Sequence, residues 1–429
     1  MRCGGGLAGI NSISYNLPEL KGCGLHSAGR AYERTKGNAM SDSLMKPIRR
    51  VVTGNDANGK STVTWDGPSP YSHPAAMGAG RGHTDLWVWT ESPAPLSGTT
   101  DDGAIPYDFP APPKGGQLRV IQGVGKPDDY NAASDPNIVA PHAPKIRPPG
   151  RTWDRGGHNY YSGGMHKTET VDYALILEGK RTLVLDDQDV EWAQGDVVID
   201  VGAWHQWSSR VAGPSLVMFD MIAATFVDGP VGLAQGKDAV MTAAANHTVP
   251  VSVKPTRRIV CLDQEVNKST LASDAATPDV RTDPARPGYA SQCLWVTDST
   301  PAKIVLETLH LPHALTPPKN GSVMRTVTFP PDASWQGKVG QKEVGAFFAA
   351  MGSPQASTWS VDAKHPYMQK TETLEFAVVT EGEMVLVLDT QEVTLKYGEF
   401  AIIRGSNHAW SNRSGKPATI ALATHDGKY

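Results

Sequence analysis

Apolar positions along this chain come in short runs ended by glycine, not in long helical stripes. "YALILEGKRTLVLDD", Tyr173 to Asp187, is two apolar runs on either side of Glu-Gly. "VEWAQGDVVIDVGAWHQW", Val190 to Trp207, turns at Gln194-Gly195. "FAVVTEGEMVLVLDTQEVTLKYGEFAII", Phe376 to Ile403, alternates with glycine punctuation throughout. Short apolar runs between turn residues read as strands. A spacing of about 8–10 residues per strand points to a sandwich or small barrel. No long amphipathic helix is evident.

The pattern is also duplicated. "KPIRRVV" at Lys46 returns as "KPTRRIV" at Lys254, and "LWVWTESPAP" at Leu86 as "LWVTDSTPAK" at Leu294. "HKTETVDYALILEGKRTLVLDD" at His166 returns as "QKTETLEFAVVTEGEMVLVLDT" at Gln369, and "GDVVIDVGAWHQWSSR" at Gly195 as "GEFAIIRGSNHAWSNR" at Gly398. The order is kept and the offset moves only from 208 to 203 residues. A common order at a common offset marks a duplicated unit. The expected organisation is a disordered tail or over-long start over residues 1–44, one unit over 45–225, a linker over 226–253 and a second unit over 254–429.

Composition narrows the class. The 43 Gly and 33 Pro in 429 residues supply the turns of an all-β protein. Net charge is −4, from 40 basic and 44 acidic residues with no basic run. That argues against a nucleic-acid partner. No apolar stretch approaches the roughly 18–20 residues that span a bilayer. Cys3, Cys23, Cys261 and Cys293 form no CxxC pair and read as free thiols of a cytoplasmic protein. The N-terminus lacks the charged and apolar regions of a secretion signal. There is no GxSxG elbow. "GAGRGH" and "GGHNYYSGG" do not fit a strand–loop–helix phosphate cradle.

The candidate chemistry lies in the repeated octapeptide. On a regular strand His166, Thr168, Thr170 and Asp172 share one face, with Lys167, Glu169 and Val171 on the other. Such a row is either part of a site or a hydrogen-bonded barrel wall with no metal.

These residues carry a resemblance. Both units resemble cupins, the double-stranded β-helix or jelly-roll barrels, and the whole chain looks like a bicupin with two tandem barrels. The first cupin motif reads His166, Thr168, Asp172 and Gly179 in one unit, and Gln369, Thr371, Glu375 and Gly382 in the other. The second motif reads Gly195-Asp196 with His205, and Gly398-Glu399 with His408; its closing Asn matches Asn412, where the first unit has Ser209. The family's usual ligand set is three histidines and a glutamate. Thr168 replaces one histidine here and Asp172 the glutamate; the second unit has no histidine in its first motif.

The resemblance implies a divalent metal on His166, Asp172 and His205, which would also be the catalytic set. Two imidazoles and a carboxylate suit non-haem Fe(II), with Mn, Ni or Zn also admitted. Gln369, Glu375 and His408 would hold a metal weakly, bind a polar ligand or brace the barrel, and Thr168 would join the substrate-binding residues. Tyr160, Tyr161, Tyr173, Trp204 and Trp207, with Phe376 and Trp410, are either core or a flat wall for an aromatic or organic acid. Arg404 is a carboxylate clamp or an edge residue. His158 and His365 fall on loops, and His142, His310 and His313 in Pro-rich stretches read as structural. Three functions stay open: a metal-dependent dioxygenase-type oxygenase acting on a small aromatic or organic acid; a non-redox isomerase, decarboxylase or lyase; and a small-molecule-binding cupin without catalysis. The expected partner is a small molecule, with homo-oligomers left open.

Overall fold

The computed structural model describes residues 45–74, 76, 81–98, 100–104, 110–142, 155, 163–226, 249–265 and 268–429. The expected tail over 1–44, most of the expected linker, and His158, Tyr160 and Tyr161 lie outside the described residues.

The Gly-punctuated runs become antiparallel strands. Thr170–Glu178 turns at Gly179 into Arg181–Val184, and Thr373–Glu381 turns at Gly382 into Glu383–Leu388. Gly179 and Gly382 have φ of +78° and +72°, a region that side chains with a Cβ rarely adopt. A Cβ on Gly179 would also stand 2.4 Å from the Pro214 carbonyl oxygen.

Two nine-stranded sheets result. One runs Lys268–Ala276, Arg257–Glu265, Val197–Val201, Thr170–Glu178, Gly213–Phe226, Gly116–Lys126, Gly82–Trp89 and Ser72–His73, with Ala302–Ile304 beside Gly213–Phe226. The other runs Val280–Thr282, Ala290–Thr297, Ser322–Phe329, Ala418–Lys428, Thr373–Glu381, Phe400–Arg404, Arg49–Asn55 and Ser61–Pro68, with Ala94–Pro95 beside Ala418–Lys428. Each faces a three-stranded sheet: Gln206–Ser208, Arg181–Val184 and Asp189–Trp192 in the first barrel, and Glu392–Lys396, Glu383–Leu388 and His408–Ser411 in the second. This is the expected all-β architecture of jelly-roll sandwiches. Among the described residues the one α-helix is Gln341–Ala350, and no helix is long and apolar enough to cross a membrane.

Strand alternation separates the cores. Ala174, Ile176, Val198, Phe219 and Ile259 face inward with Leu183 and Trp192 in the first barrel. Ala377, Val379, Ile403 and Val327 face inward with Leu386 and Trp410 in the second. The opposite faces meet each other: Val171, Tyr173 and Leu175 of one large sheet share a cluster with Leu374, Phe376 and Ile402 of the other.

The sheets do not follow the covalent units. Arg49–Asn55, from the first repeat, pairs in parallel with Phe400–Arg404 of the second. Arg257–Glu265, from the second, pairs in parallel with Val197–Val201 of the first. The exchanged strands carry the repeated "KPIRRVV" and "KPTRRIV", and their arginines make matched bonds. Arg49 Nη1 donates to Glu399 (2.6 Å), and Arg257 Nη1 to Asp196 (3.1 Å). Arg50 and Arg258 donate to the carbonyls of Leu86 and Leu294 (2.6 and 2.7 Å).

Candidate functional site

In the first barrel, neighbouring strands place Gln117, Met221, Asp172, Asp200 and Cys261 in one row. The next row is Asp85, Arg119, Phe219, Ala174, Val198 and Ile259. Phe219, Ala174, Val198 and Ile259 belong to the inner core, so this face lines the barrel.

The expected regular strand through His166 is interrupted. The ladder begins at Thr170, because residues 167–169 leave it, and His166 joins through an isolated bridge to His205. Their backbones exchange two hydrogen bonds of 2.9 Å and their ring centroids lie 4.4 Å apart. Thr168 therefore bonds Thr170 (Oγ1–Oγ1, 2.7 Å) instead of extending a flat row to Asp172.

Charge in this wall is crowded. Burial, then the Asp200 carboxylate one strand away, pushes the Asp172 carboxyl up to about 7. Burial opposes charge on His205, but Asp200 Oδ2 at 2.7 Å from its Nδ1 outweighs that and raises it to about 9. Asp172 Oδ1 and His205 Nε2 are buried without a hydrogen-bond partner. A histidine with Nδ1 held by a carboxylate and Nε2 free has the orientation of a metal ligand. Spacing is a different matter. Among the described residues, two groups of three bring ligand atoms within 4.8 Å of one another, and His166, Asp172 and His205 are not one of them. Orientation fits a metal there and spacing does not, so no step through a metal is derived from these residues.

Two expected ligand-binding residues point elsewhere. Tyr173 alternates with Asp172 and so faces the second barrel, where it shares a 2.7 Å hydrogen bond with Ser322. It braces the two sheets and lines no barrel interior. Arg404 alternates with the inward Ile403. Its Nη2 donates to the carbonyls of Ser97 and Gly98 (2.8 and 3.2 Å) and its guanidinium lies 5.3 Å from the Trp87 ring. It clamps a loop of the first repeat. Phe376 is likewise in the shared cluster. Trp207 stays beside His205 (ring centroids 4.9 Å), packed against Trp192 and Phe219.

In the second barrel the same motif is a closed network. Thr371 and Thr373 hydroxyls both donate to Glu375 Oε1, at 3.2 and 2.8 Å. Gln369 Nε2 lies 3.2 Å from His408 Nε2, and His408 Nδ1 lies 2.9 Å from the Ser406 carbonyl. Glu375 Oε2 is 3.8 Å from His408 Nε2.

Gln369 and Trp410 also line a solvent-open pocket with Tyr289, Phe347, Tyr367 and two arginines. Neither arginine was singled out from sequence. Arg286 sits 3.5 Å from the Tyr367 ring centroid, 4.2 Å from that of Tyr289 and 4.4 Å from that of Phe347. Its Nε donates to Asp283 (2.7 Å), while its Nη2 and the Tyr367 hydroxyl are buried without partners. Arg325 donates to the carbonyls of Ala314 and Leu315, at 2.7 and 3.4 Å. Among the described residues it makes no ion pair with a carboxylate, and burial lowers its pKa. His365 is buried, not a surface loop residue; burial and then Arg286 hold it down to about 3, and its Nδ1 accepts the Tyr367 amide proton (3.2 Å).

The two gathered donor groups are His73, His83 and Asp85, and Asp279, Cys293 and His313. In the second group Arg281 Nη2 stands 3.1 Å from His313 Nε2, the nitrogen that also meets Asp279 Oδ2 at 2.8 Å. Burial works against charge on His313, and the Asp279 and Cys293 contacts offset it and raise it to about 10. A protonated imidazole facing a guanidinium is a poor metal ligand. The sequence signal for the first group was His83-x-Asp85, an i, i+2 pair on one strand face.

No family model matches the chain. Phomopsin biosynthesis cluster proteins C' and D of Diaporthe leptostromiformis are each 50% identical over 48 residues, 11% of this chain and 25% of theirs. Oryzines biosynthesis cluster protein J of Aspergillus oryzae is 41% identical over 58 residues, 13% of this chain and 32% of its own. The chain thus matches only about a quarter to a third of the length of these curated relatives. Solved structures with a loose likeness include a cupin 2 conserved barrel domain protein from Leptotrichia buccalis, with TM-score 0.30 and 9% identity, over 73% of this chain and 84% of that one. Protein Ylba from E. coli has TM-score 0.33 and 8% identity, over 84% and 86%. No residue role is taken from likeness at that level. The chain folds as two jelly-roll sandwiches that carry a duplicated motif.

Proposed function

We propose that the second barrel binds a small organic acid with a flat apolar body. The observation that carries this is Arg325, a buried guanidinium on a cavity wall that donates to carbonyl oxygens and, among the described residues, forms no ion pair with a carboxylate. A buried cation without a counter-ion is costly, and a bound anion removes that cost. A carboxylate also suits Arg286 Nη2 and the Tyr367 hydroxyl, donors that lack partners. The rings of Tyr289, Phe347, Tyr367 and Trp410 supply flat apolar walls.

Benzoate and its neutral isostere benzamide test this by calorimetry. Benzoate is expected to bind and benzamide to bind at least 10-fold more weakly, with benzoate affinity falling about 10-fold or more in Arg325→Met and less in Arg325→Lys. Equal binding of the two probes, or unchanged benzoate affinity in Arg325→Met, rejects the reading.

One observation favours catalysis by the first barrel as a second reading: the buried, unpartnered Asp172 Oδ1 and His205 Nε2. A non-redox isomerase or lyase using them to move a proton would turn over its substrate without oxygen, and His205→Ala would abolish that turnover. Turnover that persists in His205→Ala removes it.

A further inference from the structure

We infer that His73, His83 and Asp85 form a binding site for a first-row divalent cation, apart from the duplicated motif residues. The site follows from elementary strand geometry. His83 and Asp85 are i, i+2 on Gly82–Trp89 and so project from one face. His73 is the cross-strand partner of His83, and Tyr71 O accepts the Asp85 amide proton at 3.0 Å, which sets the register. Gly82 permits the close approach of the two strands: a Cβ there would stand 2.5 Å from the His73 carbonyl oxygen.

Distances decide between a cation and plain hydrogen bonds. Asp85 Oδ2 lies 3.3 Å from His73 Nε2 and 3.6 Å from His83 Nε2. Good N–H···O bonds are about 2.7–3.2 Å long. Ligands held about 2.0–2.1 Å from a tetrahedral ion stand roughly 3.3–3.4 Å from one another. The 3.3 Å separation is that of a coordination edge, and the 3.6 Å one is slightly longer. The rings are also arranged for it, with centroids 4.7 Å apart and planes 32° from parallel, both Nε2 atoms directed to one carboxylate oxygen.

Arg119 completes the arrangement. Its Nε and Nη2 both lie 2.9 Å from Asp85 Oδ1, which fixes the carboxylate and leaves Oδ2 to the histidines. An oriented, monodentate carboxylate is what an outer partner gives a metal ligand. The His73 side chain is 48% exposed, His83 15% and Asp85 5%, so an ion can enter from solvent on one side while the carboxylate stays dry. Three protein ligands leave a coordination position open to water or a substrate atom. The other gathered cluster lacks these features, because Arg281 faces its histidine.

Cobalt(II) is the probe, since its visible spectrum reports tetrahedral nitrogen and oxygen ligands. The full chain, stripped with chelator and dialysed, is titrated with Co²⁺ and then displaced with Zn²⁺. One equivalent per chain with a tetrahedral spectrum is expected. His73→Ala, at a half-exposed position that leaves the fold intact, should weaken binding about 100-fold, and His83→Ala by at least as much. His313→Ala should bind as the unaltered chain does. Absence of Co²⁺ binding, retention in His73→Ala and His83→Ala, or loss confined to His205→Ala or His313→Ala overturns the site. Benzoate binding plays no part in this readout, so failure here is distinct from failure of the organic-acid reading.

Discussion

The two copies of the octapeptide differ in how their polar side chains are satisfied. In the second copy, two threonine hydroxyls close on Glu375 and Gln369 caps His408. That is a hydrogen-bonded wall. In the first copy Asp172 and Asp200 are neighbours across the ladder and His205 is held by Asp200. Unfolded, Asp172 loses its proton near its ordinary 3.8; folded, it does so at about 7. The folded chain therefore binds more protons across that window, and stability falls as pH rises through it. His205 acts in the same sense between 6.5 and about 9. Asp172→Asn mimics the protonated form, so its melting temperature relative to the unaltered chain should climb from pH 5 to pH 8. A difference that stays constant with pH would contradict the raised carboxyl. Asp172 and His205 were legible from the motif. The opposite facing of Tyr173 was not, because which side of an alternating strand is the barrel interior depends on what covers each face.

Strands are where the duplication becomes structural. The first strand of each repeat leaves its own repeat and completes the other large sheet. Ile259 belongs by sequence to the second unit, yet it is fully buried in the core of the first barrel. Ile259→Ala should cost about 2–5 kcal/mol and speed amide exchange in Val197–Val201, which it pairs with, while Phe400–Arg404 stays protected. Faster exchange confined to the second barrel would mean that the pairing is not exchanged. The strands themselves could be read from apolar runs and Glu-Gly turns. Their partners could not, since parallel pairing of Arg50 with Phe400, and of Val197 with Arg258, leaves no local signal.

The described residues form two sandwiches packed back to back. Tyr173 to Ser322, and His425 Nε2 to Asp220 Oδ2 at 3.0 Å, are polar bonds between the large sheets within an otherwise apolar cluster. Tyr173→Phe removes one of them and should cost about 1 kcal/mol in chemical denaturation, with Co²⁺ and benzoate affinities unchanged. A change in benzoate affinity would return Tyr173 to the ligand-binding set. Such joint burial makes each barrel part of the other's core, so function and stability cannot be divided at the repeat boundary.

Sequence alone determined the β class, the duplication and the turn glycines, because these depend on local periodicity and on backbone freedom at single residues. Tertiary structure alone decided which faces turn inward, which strands change barrels, and which distant residues meet. His73 joins His83 and Asp85 through a cross-strand pair. Arg286 and Arg325 meet at the cavity from a loop and a strand 39 residues apart. A chain's periodicity fixes that a side chain alternates, but only packing against a second sheet fixes what it faces.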